Sequence, residues 1–196
     1  MSATDDSRET PPAAVVGTGI MGAAMARNLL AAGLPTTVWD RSAVATTPLA
    51  DAGAQVATSA SEAVRDARVV ITMLPTPDVV HDVIFDSGAA GQFAEGAAWV
   101  QMGTIGVAAT GEIADRLGQL RPDVMFVDAP VSGSKGPAEK GQLLILASGP
   151  SGAKTITDAG VLGDRSQDGM AGRGGPGQSD EAGRERLYVH PHRRRR

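Results

Sequence analysis

Cysteine is absent from this 196-residue chain, which excludes disulfide stapling and every thiolate metal site. Aromatic residues make up only 3% of it. A core therefore has to be packed from small aliphatic side chains and close backbone approach, which suits helices laid on a parallel sheet. No run is long and apolar enough for a bilayer span and no secretory leader opens the chain, so a soluble, cytoplasmic protein with no membrane partner is expected. An excess of positive charge is missing too: the formal net charge is -4, which leaves no electrostatic footprint for nucleic acid. His190 and His192 have no third ligand in view, and no metal site is expected. What is present is a hydrophobic fraction of 42%, on a length that can bury one substantial core.

Residues 1–12 are polar and end in two prolines, a lead-in expected to be disordered. From Ala13 onward, short β-branched or apolar runs alternate with alanine-rich segments. Strands are predicted at 13–16, 36–39, 55–57, 69–73, 98–102, 125–129 and 143–147, and helices at 20–32, 43–52, 59–66, 78–85 and 107–120. That alternation predicts right-handed βαβ units and a doubly wound, mostly parallel α/β sheet of Rossmann type over 13–150. Beyond Pro150 the composition changes: eleven of the remaining forty-six residues are apolar and nine are glycine. Residues 151–196 are accordingly expected to form a disordered or irregular tail, with the terminal arginines solvated.

Val15 and Val16 run into GTGIMG, so Gly17, Gly19 and Gly22 stand at GxGxxG spacing between a strand and a helix. The first glycine permits the tight turn, the second lets a pyrophosphate approach the backbone, and the third lets the helix sit close to the sheet. Free N–H groups at the helix start, with the helix dipole, would face the phosphates. Asp40 ends the next strand, about twenty residues on, where a carboxylate accepts from a ribose hydroxyl; the plainer reading is an aspartate that caps the following segment. Arg41 and Ser42 beside it would suit a 2'-phosphate, which Asp40 would repel. The cofactor expected is NAD(P), with a lean to NADPH. Met21, Met25 and Leu29 recur every four residues and read as core, leaving Ile20 and Met21 at the turn as the helix residues near enough to touch cofactor.

Four ordered motifs, GTGIMGAAMARNLLAAG, VWDRS, VVITMLPTPDVV and DAPVSGSKGPAEKGQLLILASG, together resemble the β-hydroxyacid dehydrogenases. This group contains 3-hydroxyisobutyrate dehydrogenase and the glyoxylate and succinic semialdehyde reductases, whose N-terminal half is an NAD(P)-binding domain of the 6-phosphogluconate dehydrogenase type. The resemblance covers about 13–150. It implies that Met73, Leu74 and Pro75 form a loop beside the cofactor, where residue chemistry alone reads a strand end stopped by proline. It also implies that Thr104 touches nicotinamide and substrate, and that the Ser132, Gly133 and Ser134 turn binds a substrate carboxylate. Gln101, Gly103 and Val107 depart from the aspartate, serine and proline usual there, which opens the way to carbonyl or imine substrates. A small carboxylate or carbonyl compound is the partner implied, with homo-oligomers the habit of the family.

The family's catalytic lysine lies in a helix reading Gly-x-x-x-Lys-x-x-x-Asn, and no such motif follows Pro150. Lys135 is read instead as a solvated charge or an indirect contact. Read one nucleotide later through degenerate codons, residues 177–186 permit Gly-Arg-Ala-Met-Lys-Leu-Val-Val-Asn. A frameshift near 151–154 is therefore the expected origin of the tail, with the helical half of the family lost, and sequencing the gene checks it. The function expected is NAD(P) binding within an oxidoreductase acting on the CH–OH group of a β-hydroxyacid, with little turnover by this truncated chain. The alternatives are a noncatalytic dinucleotide-binding module and an imine reductase-like enzyme.

Overall fold

The computed structural model describes residues 10–150 and 152–153, together with a strand at 185–189. In chain order the elements are β1 (Ala13–Val16), α1 (Ile20–Ala31), β2 (Thr36–Trp39), α2 (Ala43–Ala50), β3 (Gln55–Val56), α3 (Ala60–Val64) and β4 (Val69–Thr72). Next come α4 (Pro77–Val80), which runs on as a wide π turn (His81–Asp86), a 3-10 turn (Ala89–Gln92), β5 (Ala98–Gln101), α5 (Val107–Leu120) and β6 (Met125–Asp128). β7 (Val131–Ser132), α6 (Lys135–Glu139), β8 (Leu144–Gly149) and β9 (Glu185–Val189) complete the described chain.

These strands form one sheet in the order β3-β2-β1-β4-β5-β6-β8-β7, with β9 on β8. The first six are parallel, while β8 runs antiparallel to β6, β7 and β9. β1, β4 and β5 are buried at every residue, as expected for near-continuous apolar runs covered on both faces. Because side chains alternate along a strand, the sheet sorts them into two cores. Val15, Ile71 and Val100 meet Met25 and Leu29 of α1 on one face. Val16, Val70 and Trp99 meet Val80, Ile84, Ile113 and Leu117 on the other. The segments after β1 and β4 thus cover opposite faces, which makes the carboxyl ends of these neighbouring strands the topological switch point of the sheet.

Small residues do not carry the second core alone. All three phenylalanines gather on Trp99, with ring centroids 5.8 Å (Phe85), 5.7 Å (Phe93) and 5.2 Å (Phe126) away. Such an aromatic side chain, fully buried, contributes roughly 1.5–3 kcal/mol of transfer free energy.

The element pattern read from sequence holds for the seven predicted strands and five predicted helices, with ends shifted by a few residues. Four short elements were not foreseen, the first of them the 3-10 turn at Ala89–Gln92. β7 and α6 form within the turn after β6, and β9 draws five residues of the expected irregular tail into an antiparallel pair with β8. The rest of the tail, apart from Gly152 and Ala153, lies outside the described residues, as does the lead-in up to position 9. Pro12, counted with that lead-in, already accepts the Arg68 N–H at 2.8 Å. None of the helices among the described residues is long and apolar enough to cross a membrane.

Candidate dinucleotide site

The glycine turn lies at the switch point, pressed against the loop that follows β4. Gly17 adopts φ +92, and a Cβ there would stand 2.6 Å from the Met73 carbonyl oxygen. A Cβ on Gly22 would stand 1.9 Å from the Gly17 carbonyl oxygen, so α1 rests directly on the turn. Gly19 differs from both: a Cβ there meets no atom within 4 Å, because that face opens outward. No side chain caps α1 at Gly19 and no acidic residue occupies its first turn, so the partial positive charge of the helix start is available to an anion. Ile20 is 68% exposed beside the turn, whereas Met21 is partly buried against the core.

Asp40 fastens this turn to the end of β2. Its Oδ2 accepts from the Thr18 N–H at 2.7 Å and from the Thr18 hydroxyl at 3.3 Å, and its Oδ1 accepts from the Ser42 N–H at 2.9 Å. Asp40 thus ties the start of the following segment through Ser42, although α2 itself begins at Ser42 without a side-chain cap, and a second tie, to Thr18, is added. Arg41 and Ser42 project into solvent next to it.

Leu74 is buried, while Pro75 is exposed and Met73 half-buried. The loop after β5 approaches them closely, since a Cβ on Gly103 would lie 2.4 Å from the Leu74 carbonyl oxygen. No serine fits at Gly103 without moving that backbone. Gln101 is fully buried. Its Oε1 accepts from the Thr72 hydroxyl at 3.0 Å and from the Gly103 N–H at 3.2 Å, and its Nε2 donates to the Gly103 carbonyl at 2.7 Å. The Trp99 indole N–H in turn donates to Thr72 Oγ1 at 2.9 Å. The amide that stands where the family usually has an aspartate is therefore engaged in shaping the loop, which leaves Thr104 exposed at its tip and Val107, 93% exposed, at the start of α5.

A groove of about 630 Å³ opens beside the glycine turn, lined by Thr18, Gly19, Ile20, Ala23, Ala24, Arg27, Lys135 and Glu139. Residues 13–160 match the family model described as the NAD binding domain of 6-phosphogluconate dehydrogenase. This chain belongs to that family. Its NAD-binding domain is 38% identical over 154 residues to glyoxylate/succinic semialdehyde reductase 1 of Arabidopsis thaliana, covering 77% of this chain and 53% of the relative. The solved 3-hydroxyisobutyrate dehydrogenase of Mycobacterium tuberculosis with L-serine superposes with a TM-score of 0.72 at 31% identity, over 78% of this chain and 51% of that one. An imine reductase from a Pseudomonas species superposes with a TM-score of 0.66 at 29% identity, over 79% of this chain and 54% of that one. The chain thus spans about half the length of these relatives.

Of the residues singled out in the sequence, the NAD-binding domain brings Gly17, Gly22, Asp40 and the Met73–Leu74 backbone into one contact network around the turn. Ser132, Gly133 and Ser134 are exposed just ahead of α6, and a Cβ on Gly133 would lie 2.7 Å from Leu143 Cδ2. Sequence reasoning missed Thr18, whose hydroxyl and N–H hold Asp40, and it missed the grouping of Arg27, Lys135 and Glu139 at the groove. The four-residue spacing of Lys135 and Glu139 was the available signal.

Asp128 is in register with Gln101 on β5 and with Ser148 on β8. Burial raises its carboxyl above the ordinary range, because desolvation disfavours the charged form. A raised folded-state value means no penalty below the unfolded value and a penalty that grows as pH rises through the folded one. Asp128→Asn is therefore expected to raise Tm at pH 7 and to leave it unchanged near pH 3. Melting curves of both proteins across that range check this, and an equal shift at both ends would remove burial as the cause.

Proposed function

We propose that this chain holds NADPH in preference to NADH, as the cofactor-binding part of an oxidoreductase for a small β-hydroxyacid or the matching aldehyde or ketoacid. The observation that carries the reading is the glycine turn at the switch point, open at Gly19 and tied down through Thr18 and Asp40. The residues present fit such a cofactor: the turn closes on backbone where glycine is needed and opens where a diphosphate would approach. When bound, the nicotinamide supplies or takes up the hydride. In this reading Gly17, Gly19, Ile20, Met21 and Gly22 receive the diphosphate, and Met73, Leu74 and Pro75 border the ribose and nicotinamide. Thr104 reaches the nicotinamide and the substrate, and Ser132, Gly133 and Ser134 take the substrate carboxylate.

The preference for NADPH follows from how Asp40 is engaged. Its oxygens accept backbone N–H groups on both sides, which offsets part of the charge that would repel a phosphate. Arg41 and Ser42, both exposed, then present a guanidinium and a hydroxyl to the 2'-phosphate. Titration by nucleotide fluorescence is expected to show NADPH binding tighter than NADH. In Arg41→Ala the NADPH affinity should fall by roughly tenfold or more, the weight of one charge-assisted contact, while NADH is almost unaffected. Equal losses for both would defeat the assignment, and absence of binding by either nucleotide would defeat the whole reading.

Turnover, in this proposal, depends on a proton-handling lysine that no Gly-x-x-x-Lys-x-x-x-Asn motif in this sequence supplies, and removing the acid or base typically forfeits about 10² to 10⁴ in rate. Assays with glyoxylate, succinic semialdehyde and 3-hydroxyisobutyrate are therefore expected to give little or no rate. A second reading, imine reduction, is favoured by the loop after β5, where Gly103 has no room for a hydroxyl and Gln101 is occupied. Turnover of a cyclic imine, without turnover of those three compounds, would select it.

A further inference from the structure

We propose that Lys135 is a phosphate ligand of the bound dinucleotide; this rests on the cofactor reading above and extends it to a residue outside the glycine turn. The placement of Lys135 comes from α6, which docks on α1. The Asn28 amide donates to the Ala138 carbonyl at 2.8 Å, and Ala138 is buried in the same core as Met25 and Leu29. Docking at Ala138 brings the first residue of α6 into the groove that Thr18, Gly19 and Ile20 line. An ammonium from a distant part of the sequence thus shares one cavity with the phosphate-facing turn.

Charge balance gives this placement a role. A helix start offers the equivalent of about half a positive charge, which undercompensates a diphosphate. Lys135 and Arg27 add two cations to the groove, against the single carboxylate of Glu139. Arg27 is two turns further along α1, about 10 Å by helical rise from Ile20, so it contributes field, and Lys135 enters the same groove from α6. The Lys135 ammonium is 3.7 Å from Glu139 Oε1, with the two side chains 69% and 50% exposed. A pair that loose and that wet holds its partners weakly, which leaves the ammonium free to turn from Glu139 to a phosphate. The same groove position argues for charge compensation by Lys135 and against proton transfer at the nicotinamide.

The test uses the full chain with NADPH, NADH and adenosine 2'-monophosphate as probes, the last having no diphosphate. Lys135→Ala is expected to weaken NADPH and NADH alike, by roughly tenfold as for one charge-assisted contact, and to leave adenosine 2'-monophosphate unchanged. Lys135→Arg should recover most of the loss, Glu139→Gln should tighten both dinucleotides, and the salt dependence of binding should be shallower in Lys135→Ala. Unchanged dinucleotide affinity in Lys135→Ala overturns the proposal while the cofactor reading stands. So does an equal loss for adenosine 2'-monophosphate, which would indicate a general fault in the fold. If the unsubstituted chain binds neither dinucleotide, both fall together.

Discussion

Gly22→Ala is expected to cost the protein about 2–4 kcal/mol of stability, in the upper range for overpacking against backbone, and to abolish measurable nucleotide binding. The added methyl would stand 1.9 Å from the Gly17 carbonyl oxygen and 3.5 Å from Met73 Cβ. A flexible side chain could swing away from such a contact, but a carbonyl in a turn cannot. That turn is held at Gly17 by the N–H bond to Trp39 (2.9 Å) and at Thr18 by Asp40. Helix and turn must separate, and the register of α1 on the sheet is lost with them. Gly19→Ala is the matched control, since its methyl meets nothing within 4 Å. It should melt like the parent and still lose affinity, because the methyl occupies the space through which the diphosphate approaches. Denaturant titration paired with nucleotide fluorescence separates the two effects. A Gly22→Ala protein as stable as the parent would mean that α1 does not rest on the turn as described.

Gln101→Glu replaces one atom group and is expected to destabilise the protein by about 3 kcal/mol at neutral pH, as for a buried charge left without a partner. In the parent the amide donates to the Gly103 carbonyl and accepts from Thr72 and the Gly103 N–H, with the side chain fully buried. A protonated glutamic acid can reproduce that pattern through its O–H, whereas a carboxylate loses the donor and carries a desolvated charge. Its folded-state value would be raised, so the penalty is absent below the unfolded value near 4.3 and develops as pH rises through the folded one. The difference in stability from the parent should accordingly shrink toward zero near pH 4 and widen toward pH 7. A constant difference across that range would show that the amide N–H is not what the loop depends on.

Much of the molecule was legible because its signals are local. Strand spacing and the glycine turn are read within windows shorter than a βαβ unit, and hydrophobic period distinguishes the covered strands from the helices between them. Asp40 was found by its separation from the turn, although its partner Thr18 was not and Ser42 was read for its hydroxyl, where the fold uses its N–H. The short elements β7, α6 and β9 were not legible, since two- and five-residue segments carry too few periods to register and are held by their neighbours instead. Gly103 shows how a substitution can mislead. As sequence it is a missing hydroxyl, while in the fold it is the residue that lets two loops meet at the Leu74 carbonyl.

The amino-acid sequence by itself determined the α/β class, the glycine turn and the acidic residue that follows the second strand, because each depends on residues within about one supersecondary unit of one another. Only the tertiary structure decided that Gln101 is sealed inside a hydrogen-bond chain from Trp99 to Gly103, that phenylalanine rings converge on Trp99 on one face of the sheet, and that Lys135 lines one groove with a turn more than a hundred residues before it. Those outcomes depend on strand order and on the docking of α6 against α1, contacts between distant segments that no local pattern of side chains encodes.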